Sequence, residues 1–185
     1  MRTFIAIPLP PDSQSLLSKM QQKLRETGAD VRWTPIPSIH LTLKFLGEVD
    51  PALPARLAGL LRSACGGHAQ FSLTLAGLGA FPGLRDPRVV WCGIRGDTES
   101  LISLQLEIDR ICAGLGFEPE SREFRPHLTL GRVKGSKNVH RLAECIKIGS
   151  ELESDFVVRS LNMYRSTLTP GGAIYGVLEE IALQP

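Results

Sequence analysis

The sequence predicts an α+β protein of two pseudo-symmetric lobes, each an antiparallel sheet flanked by helices, with an active-site cleft between them. Three observations carry that prediction. The tetrapeptide His-Leu-Thr-Leu occurs twice, at His40–Leu43 and His127–Leu130, where chance would supply a second copy on the order of 10⁻³ times. Segments of strand period and helix period follow one another along the chain. The order helix, loop, motif strand, helix, strand, turn, strand recurs in each half. The motif offset, 127 − 40 = 87 residues, is about half of the 185-residue chain. That is too long for a solenoid repeat, and it predicts a single domain over 1–185 with an internal duplication. Its approximate halves are 1–96 and 97–185, and strands can exchange between the lobes.

The first strand is expected at Thr3–Pro8, stopped by Pro8, Pro10 and Pro11. A helix follows, capped by Asp12 or Ser13, with Leu16, Leu17, Met20 and Leu24 at helical spacing and Gly28 near its end. Val31–Trp33 reads as a short strand, and Pro35 and Pro37 hold an extended loop before the first motif strand, which Gly47 ends. A second helix fits Pro51–Cys65, burying Leu53, Leu57, Leu60 and Leu61. Phe71–Leu78 alternates as a strand, Gly79–Pro87 has the Gly and Pro content of a long hairpin loop, and Arg88–Ile94 is a strand carrying Trp91.

In the second half a helix over Thr98–Ala113 buries Leu101, Leu104, Ile108 and either Ile111 or Cys112. A loop with Pro119 and Pro126 leads to the second motif strand, closed by Gly131, and a helix covers Asn138–Ile146. Strands at Leu152–Tyr164 and Ala173–Leu183 flank the turn Thr169-Pro170-Gly171-Gly172.

Bulk composition bounds the function. Hydrophobic residues at 43% and charged residues at 22% describe an ordinary globular chain, and a net charge of +2 is too small to predict non-specific nucleic-acid binding. A local basic cleft is still compatible with it. Cys65, Cys92, Cys112 and Cys145 form no CxxC pair and read as reduced, buried small hydrophobes in a cytoplasmic protein, with neither a disulfide framework nor a zinc site. No run approaches a secretory h-region or the ~20 apolar residues of a membrane span.

Each motif alternates polar and apolar residues. On a strand, i and i+2 share a face about 6–7 Å apart, so imidazole and hydroxyl point one way and both leucines point into a core. Two histidines and two threonines on matching strands are the parts of a symmetric acid–base site around a tetrahedral anion. In-line displacement on a five-membered cyclic phosphodiester needs a base for the incoming water and an acid for the departing alkoxide, on opposite sides of phosphorus. Histidine suits both roles near neutral pH. Thr42 and Thr129 can donate to the non-bridging oxygens. The chemistry requires no metal or other cofactor, and the sequence offers no carboxylate cluster to hold one. His68 and His140 lie in no such context and read as surface residues.

Both motifs resemble the His-x-Thr-x signature of the two-histidine phosphoesterase superfamily. The surroundings resemble its RNA 2′,3′-cyclic phosphodiesterase branch, also called the 2′-5′ RNA ligase family. The matching residues are Arg2–Ile7, Trp33 and Pro37 ahead of His40–Gly47, then Pro87–Trp91 and Phe124–Arg132, and finally Tyr164–Ser166, Leu168 and Gly172–Tyr175. The resemblance implies a bilobal fold and metal-independent opening of a terminal 2′,3′-cyclic phosphate to a 2′-phosphate. It implies His40 as the proton donor to the 3′-oxygen and His127 as the proton acceptor from water, roles the two near-identical motifs do not distinguish. A 5′-hydroxyl in place of water would give a 2′-5′ linkage. The implied partner is RNA ending in a cyclic phosphate, tRNA halves or fragments included, with no membrane partner; a closed two-lobed core suits a monomer.

Lys44, at an even offset from His40, is placed to reach the cleft face or its rim, or else to remain solvated. Arg125 and Arg132 flank the second motif as candidate contacts to RNA phosphates, with ordinary surface charge the competing reading. Trp33, Phe45, Phe81, Trp91, Phe124 and Tyr175 include candidate stacking platforms, with core packing the default for most aromatics. The 79–87 loop is long enough to border the cleft. Two alternatives accompany the RNA reading. One is a cyclic phosphodiesterase acting on small nucleotides, such as ADP-ribose 1″,2″-cyclic phosphate, or on 2′-5′ oligoadenylate. The other is a non-catalytic module holding RNA ends or nucleotides, which would have no need of two proton-transfer groups.

Overall fold

Arg2–Ile7 forms the first strand (β1), and five of its six side chains are buried. Both of its faces are covered, so the strand reads as a continuous apolar run. The computed structural model describes residues 1–149, 151–169 and 172–185. After β1 come α1 (Pro11–Arg25), β2 (Val31–Trp33), β3 (Leu41–Glu48), α2 (Leu53–Cys65), β4 (Phe71–Phe81) and β5 (Val89–Gly96). Then follow α3 (Thr98–Gly114), β6 (His127–Val133), α4 (Val139–Ile148), β7 (Glu153–Val158), β8 (Ser160–Thr169) and β9 (Gly172–Ala182). The class is α+β. Two antiparallel sheets are ordered β3-β1-β8-β9 and β2-β6-β5-β4-β7. Helices α2 and α3 pack on the first sheet through β9 and β3, and α1 and α4 on the second through β7 and β4.

The predicted strand at Leu152–Tyr164 is two strands in two sheets. β7 pairs with β4, and β8 pairs with β1 and β9. The chain crosses at Arg159, where the apolar phase changes from even positions (Phe156, Val158) to odd ones (Leu161, Met163), all four buried. Each sheet therefore draws strands from both halves of the sequence. One contiguous core runs from Ile5 and Leu41 of the first sheet to Leu73 and Leu128 of the second.

Local chemistry accounts for the other differences. α1 starts at Pro11 with Pro10 as N-cap and no side-chain cap, because proline presets the helical φ and has no N–H to satisfy. Neither Asp12 nor Ser13 caps it; Asp12 sits in the first turn and Ser13 is buried. The Pro35–Pro37 loop tightens into a 3₁₀ turn at Ile36–Ser38. α2 buries Leu57, Ala58, Leu61 and Cys65, whereas Leu60, expected inside, is exposed. β4 runs on to Phe81, taking in Gly79 and Ala80 from the predicted loop. At Gly79 a Cβ would lie 2.1 Å from the Trp91 ring, so only glycine fits beneath that indole. Pro170 and Gly171 of the predicted turn lie outside the described residues.

All four cysteines are free. Burial pushes the thiols of Cys65 and Cys112 up to about 11 and that of Cys92 to about 12, so these three behave as inert hydrophobes. Among the described residues no helix is long and apolar enough to cross a membrane.

Candidate active site

His40 immediately precedes β3 and His127 opens β6. The first sheet carries one motif and the second carries the other, and β3 meets β6 between them. His40, Thr42, His127 and Thr129 line one cleft of about 900 Å³. The leucines Leu41, Leu43, Leu128 and Leu130 are all buried, as alternation requires. Each motif strand also carries a β-bulge at the same place. Lys44 pairs with Ile5 and Thr42 with Ala6, leaving Leu43 as the extra residue. Gly131 pairs with Val90 and Thr129 with Trp91, leaving Leu130. The fourth residue of both tetrapeptides is thus the bulged one. A bulge bends its strand and re-aims the neighbouring side chains.

Each imidazole is tied to the carbonyl two residues before it. His127 Nδ1–H donates to the Arg125 carbonyl at 2.7 Å, and the Ser38 carbonyl favours the protonated His40 ring. A carbonyl only accepts, so Nδ1 of His127 holds the proton and its other nitrogen is free of that bond. His40 stacks on Phe4, with centroids 4.5 Å apart, and meets the edge of Tyr175 at 5.1 Å. Phe81 stands edge-on to His127 at 5.0 Å. Burial among aromatic rings drives the His40 imidazolium down to about 4, against a smaller upward pull from the Ser38 carbonyl. His40 is therefore neutral near pH 7.

Burial of His40 couples folding to pH. Unfolded, His40 takes up a proton below about pH 6.5; folded, it does so only below about 4. Between these values the unfolded chain binds more protons, so folding weakens as pH falls and levels off below the lower value. In urea unfolding, the stability lost between pH 7.5 and 4.5 should be smaller in His40→Asn than in the wild type. The expected difference is about 2 kcal/mol, after discounting for the ring's partial exposure. Equal losses in both proteins would contradict the burial account.

Lys44 lines the cleft but is not a solvated rim residue. Only 6% exposed, it pairs with Asp109 of α3 and donates to the Glu118 carbonyl at 2.7 Å. Both Asp109 oxygens accept from the Glu120 N–H, at 3.2 and 3.1 Å. This buried pair fixes the loop after α3, whose Glu120, Arg122, Glu123, Phe124 and Arg125 form one wall. Arg125 and Arg132 also line the cleft and are exposed; Arg125 pairs with Glu123 at 3.3 Å. Arg122, Arg125 and Arg132 against Glu120 and Glu123 give the cleft lining as a whole a positive balance.

Of the candidate stacking residues, Phe45, Phe81, Phe124 and Tyr175 line the cleft, and Phe45 is 72% exposed. Trp33 instead faces the Arg25 guanidinium at 5.2 Å, and Trp91 covers Gly79. His140 is exposed beside Glu144, His68 is half-buried, and neither lines the cleft. Sequence reasoning missed Phe4, the platform under His40; its place beside a motif strand becomes visible only once β1 is paired with β3. It also missed Asp109 and Arg122, which lie far from both motifs and carry no local signal. Among the described residues no group of three or more His, Cys, Asp or Glu side chains is arranged to hold a metal ion.

Comparison with known proteins identifies a family and a fold. The family model of the 2′-5′ RNA ligase superfamily matches residues 9–169. The chain is 35% identical over 184 residues to the RNA 2′,3′-cyclic phosphodiesterase of Methanothermobacter thermautotrophicus, covering 99% of each. It is 37% identical over 181 residues to the protein of that name from Thermotoga maritima, covering 97% of this chain and 94% of the relative. Among solved structures, TT0787 of Thermus thermophilus superposes with a TM-score of 0.81 at 26% identity, covering 100% of this chain and 98% of that one. Escherichia coli LigT complexed with 3′-AMP does so at 0.76 and 28% identity, with coverage of 100% and 98%. With matched histidine–threonine pairs on one cleft and relatives aligned over nearly its whole length, the chain belongs to the 2′-5′ RNA ligase superfamily.

Proposed function

We propose that this protein hydrolyses 2′,3′-cyclic phosphodiester ends of RNA to 2′-phosphomonoesters by acid–base catalysis that needs no metal. The observation that carries the reading is the delivery of two histidine–threonine pairs, from two sheets, to one cleft. Water attacks phosphorus and a P–O bond forms, while the bond to the 3′-oxygen breaks. His127 takes the water proton and His40 gives its proton to the 3′-oxygen. Thr42 and Thr129 donate to the non-bridging oxygens, where charge accumulates. Burial alone keeps His40 neutral, so the donor role requires the phosphate anion to restore its proton; a negative charge nearby stabilises imidazolium. A 5′-hydroxyl entering in place of water would make a 2′-5′ linkage at the same site.

Arg132 is exposed on the cleft wall and has no ion pair among the described residues, whereas Arg125 is partly occupied by Glu123. We expect Arg132→Ala to weaken RNA binding and to flatten its dependence on salt by about 0.7 in the log–log slope, the value for one phosphate contact on a single strand. An unchanged slope would remove Arg132 from the interface. The partner is then an RNA end, tRNA halves or fragments included, met in the cytoplasm by a monomer.

The test compares an RNA oligomer ending in a 2′,3′-cyclic phosphate with the corresponding mononucleotide, with and without EDTA. Turnover of the oligomer at higher kcat/KM, unaffected by EDTA, is expected. Preference for the mononucleotide would move the substrate to small nucleotides, and binding without turnover of either would make the protein a binding module.

A further inference from the structure

Two buried polar side chains are unexplained by either the core or the chemistry above. Gln21 on α1 and Gln105 on α3 are 4% and 3% exposed, each between buried apolar neighbours. The stripes match at four positions. Leu17, Met20, Gln21 and Leu24 correspond to Leu101, Leu104, Gln105 and Ile108, every pair 84 residues apart (101 − 17, 104 − 20, 105 − 21, 108 − 24). All eight side chains are buried. A glutamine buried in a helix stripe costs stability unless its amide finds partners, so a matched pair needs a reason.

Both amides reach the bulges. Gln21 Nε2 donates to the carbonyls of Leu130, at 2.8 Å, and Thr34, at 2.7 Å. Both partners are acceptors, which fixes the orientation of the amide. Thr34 N–H also donates to the Leu130 carbonyl at 2.9 Å, closing a small network between the approach to the first motif and the second motif strand. Gln105 Nε2 lies 3.5 Å from the Leu43 carbonyl. Leu43 and Leu130 are the extra residues of the two bulges. At each bulge, then, a buried amide meets the carbonyl of the extra motif residue, Gln21 of the first half reaching the second motif and Gln105 of the second half the first.

We infer that Gln21 and Gln105 are positioning residues that lock the register of the motif strands and so aim each histidine–threonine pair into the cleft. The inference rests on the proposed catalytic use of those pairs. A bulge leaves a residue unpaired, and a one-residue slip turns every side chain of the slipped segment to the opposite face. Here a slip would carry the threonine away from the phosphate and the leucine toward it. The amide holds the bulged carbonyl in place and leaves the slipped register without its partner. Gln21, with two short bonds, holds more firmly than Gln105, whose single bond is long. Gln21 also stands apart from the cleft lining, whereas Gln105 belongs to it, so Gln21 gives the cleaner test.

Gln21→Met keeps length and burial and removes both donors. The expected result is a fall in kcat of about 10- to 10²-fold, the scale of a misplaced reacting group, with KM changed less than about threefold. The loss should also be specific to the second motif. In a Thr129→Ala background Gln21→Met should cost much less than in the wild type, and in a Thr42→Ala background it should cost the full factor. Unchanged kcat, a change in KM alone, or equal losses in the two backgrounds would overturn the inference. Gln21→Asn, which keeps the amide but withdraws it by one methylene, is the second variant if Gln21→Met lacks the wild-type circular dichroism spectrum. Should both lose it, Gln21 is a folding residue and the inference falls. His40→Ala and His127→Ala run alongside. If they keep turnover, the proposed function fails; if they lose it while Gln21→Met does not, only the role of the glutamines fails.

Discussion

His127→Ala is expected to lower single-turnover cleavage of a cyclic-phosphate RNA end by about 10²–10⁴-fold, and His40→Ala by a similar factor, the usual worth of a positioned acid or base. The two losses arise differently. His127, tied through Nδ1–H to the Arg125 carbonyl, presents its other nitrogen as an acceptor. Given its proposed role as base, its removal would leave water to attack unaided. His40 lies on Phe4 with the Ser38 carbonyl on its ring, and its removal leaves the 3′-oxygen to depart as an alkoxide. Thr42→Ala and Thr129→Ala should each cost less, about 10- to 10²-fold, the worth of one hydrogen bond to a charged oxygen. A folded histidine variant with a near-normal rate would exclude that histidine from proton transfer.

Lys44→Met is expected to be among the most damaging changes to stability, by about 3–5 kcal/mol, because it strands a buried carboxylate. Asp109 is 14% exposed, and its other partner is the Glu120 N–H. In a chain this size that loss lowers Tm by roughly 10 °C. Lys44→Met combined with Asp109→Leu should recover much of the stability, since an apolar pair replaces the ion pair without an orphaned charge. It should not recover substrate affinity, because the loop carrying Arg122, Phe124 and Arg125 has lost the carboxylate and ammonium that hold it. Scanning calorimetry and KM on the three variants check both halves of this expectation. A double variant no more stable than Lys44→Met would contradict the ion-pair account, and a wild-type KM in the double variant would release the loop from it.

What the sequence made legible was what obeys a simple period. The alternation at His40–Leu43 and His127–Leu130 placed imidazoles and hydroxyls on the cleft side, and the apolar spacings of α1 and α3 located both helices. The change of phase between Val158 and Leu161 was present in the sequence too, but it separates two strands only if read as a break. The bulges at Leu43 and Leu130 were not legible, because a bulge is defined by its partner strand. The same is true of Lys44. Its offset from His40 suggested the cleft face, while its burial depends on Asp109, 65 residues away. Leu60 was misplaced because a helix holding four leucines leaves the exact centre of its buried face open, and Ala58 and Cys65 claimed it.

The most direct test of the central claim is the regiochemistry of the product. A dinucleotide ending in a 2′,3′-cyclic phosphate is digested in ¹⁸O-labelled water and followed by ³¹P NMR. The proposed fixed and opposite roles of the two histidines allow only one oxygen to leave, so the expected product is a 2′-phosphomonoester alone, carrying a single ¹⁸O. A 3′-phosphomonoester, or a mixture of the two isomers, would contradict it.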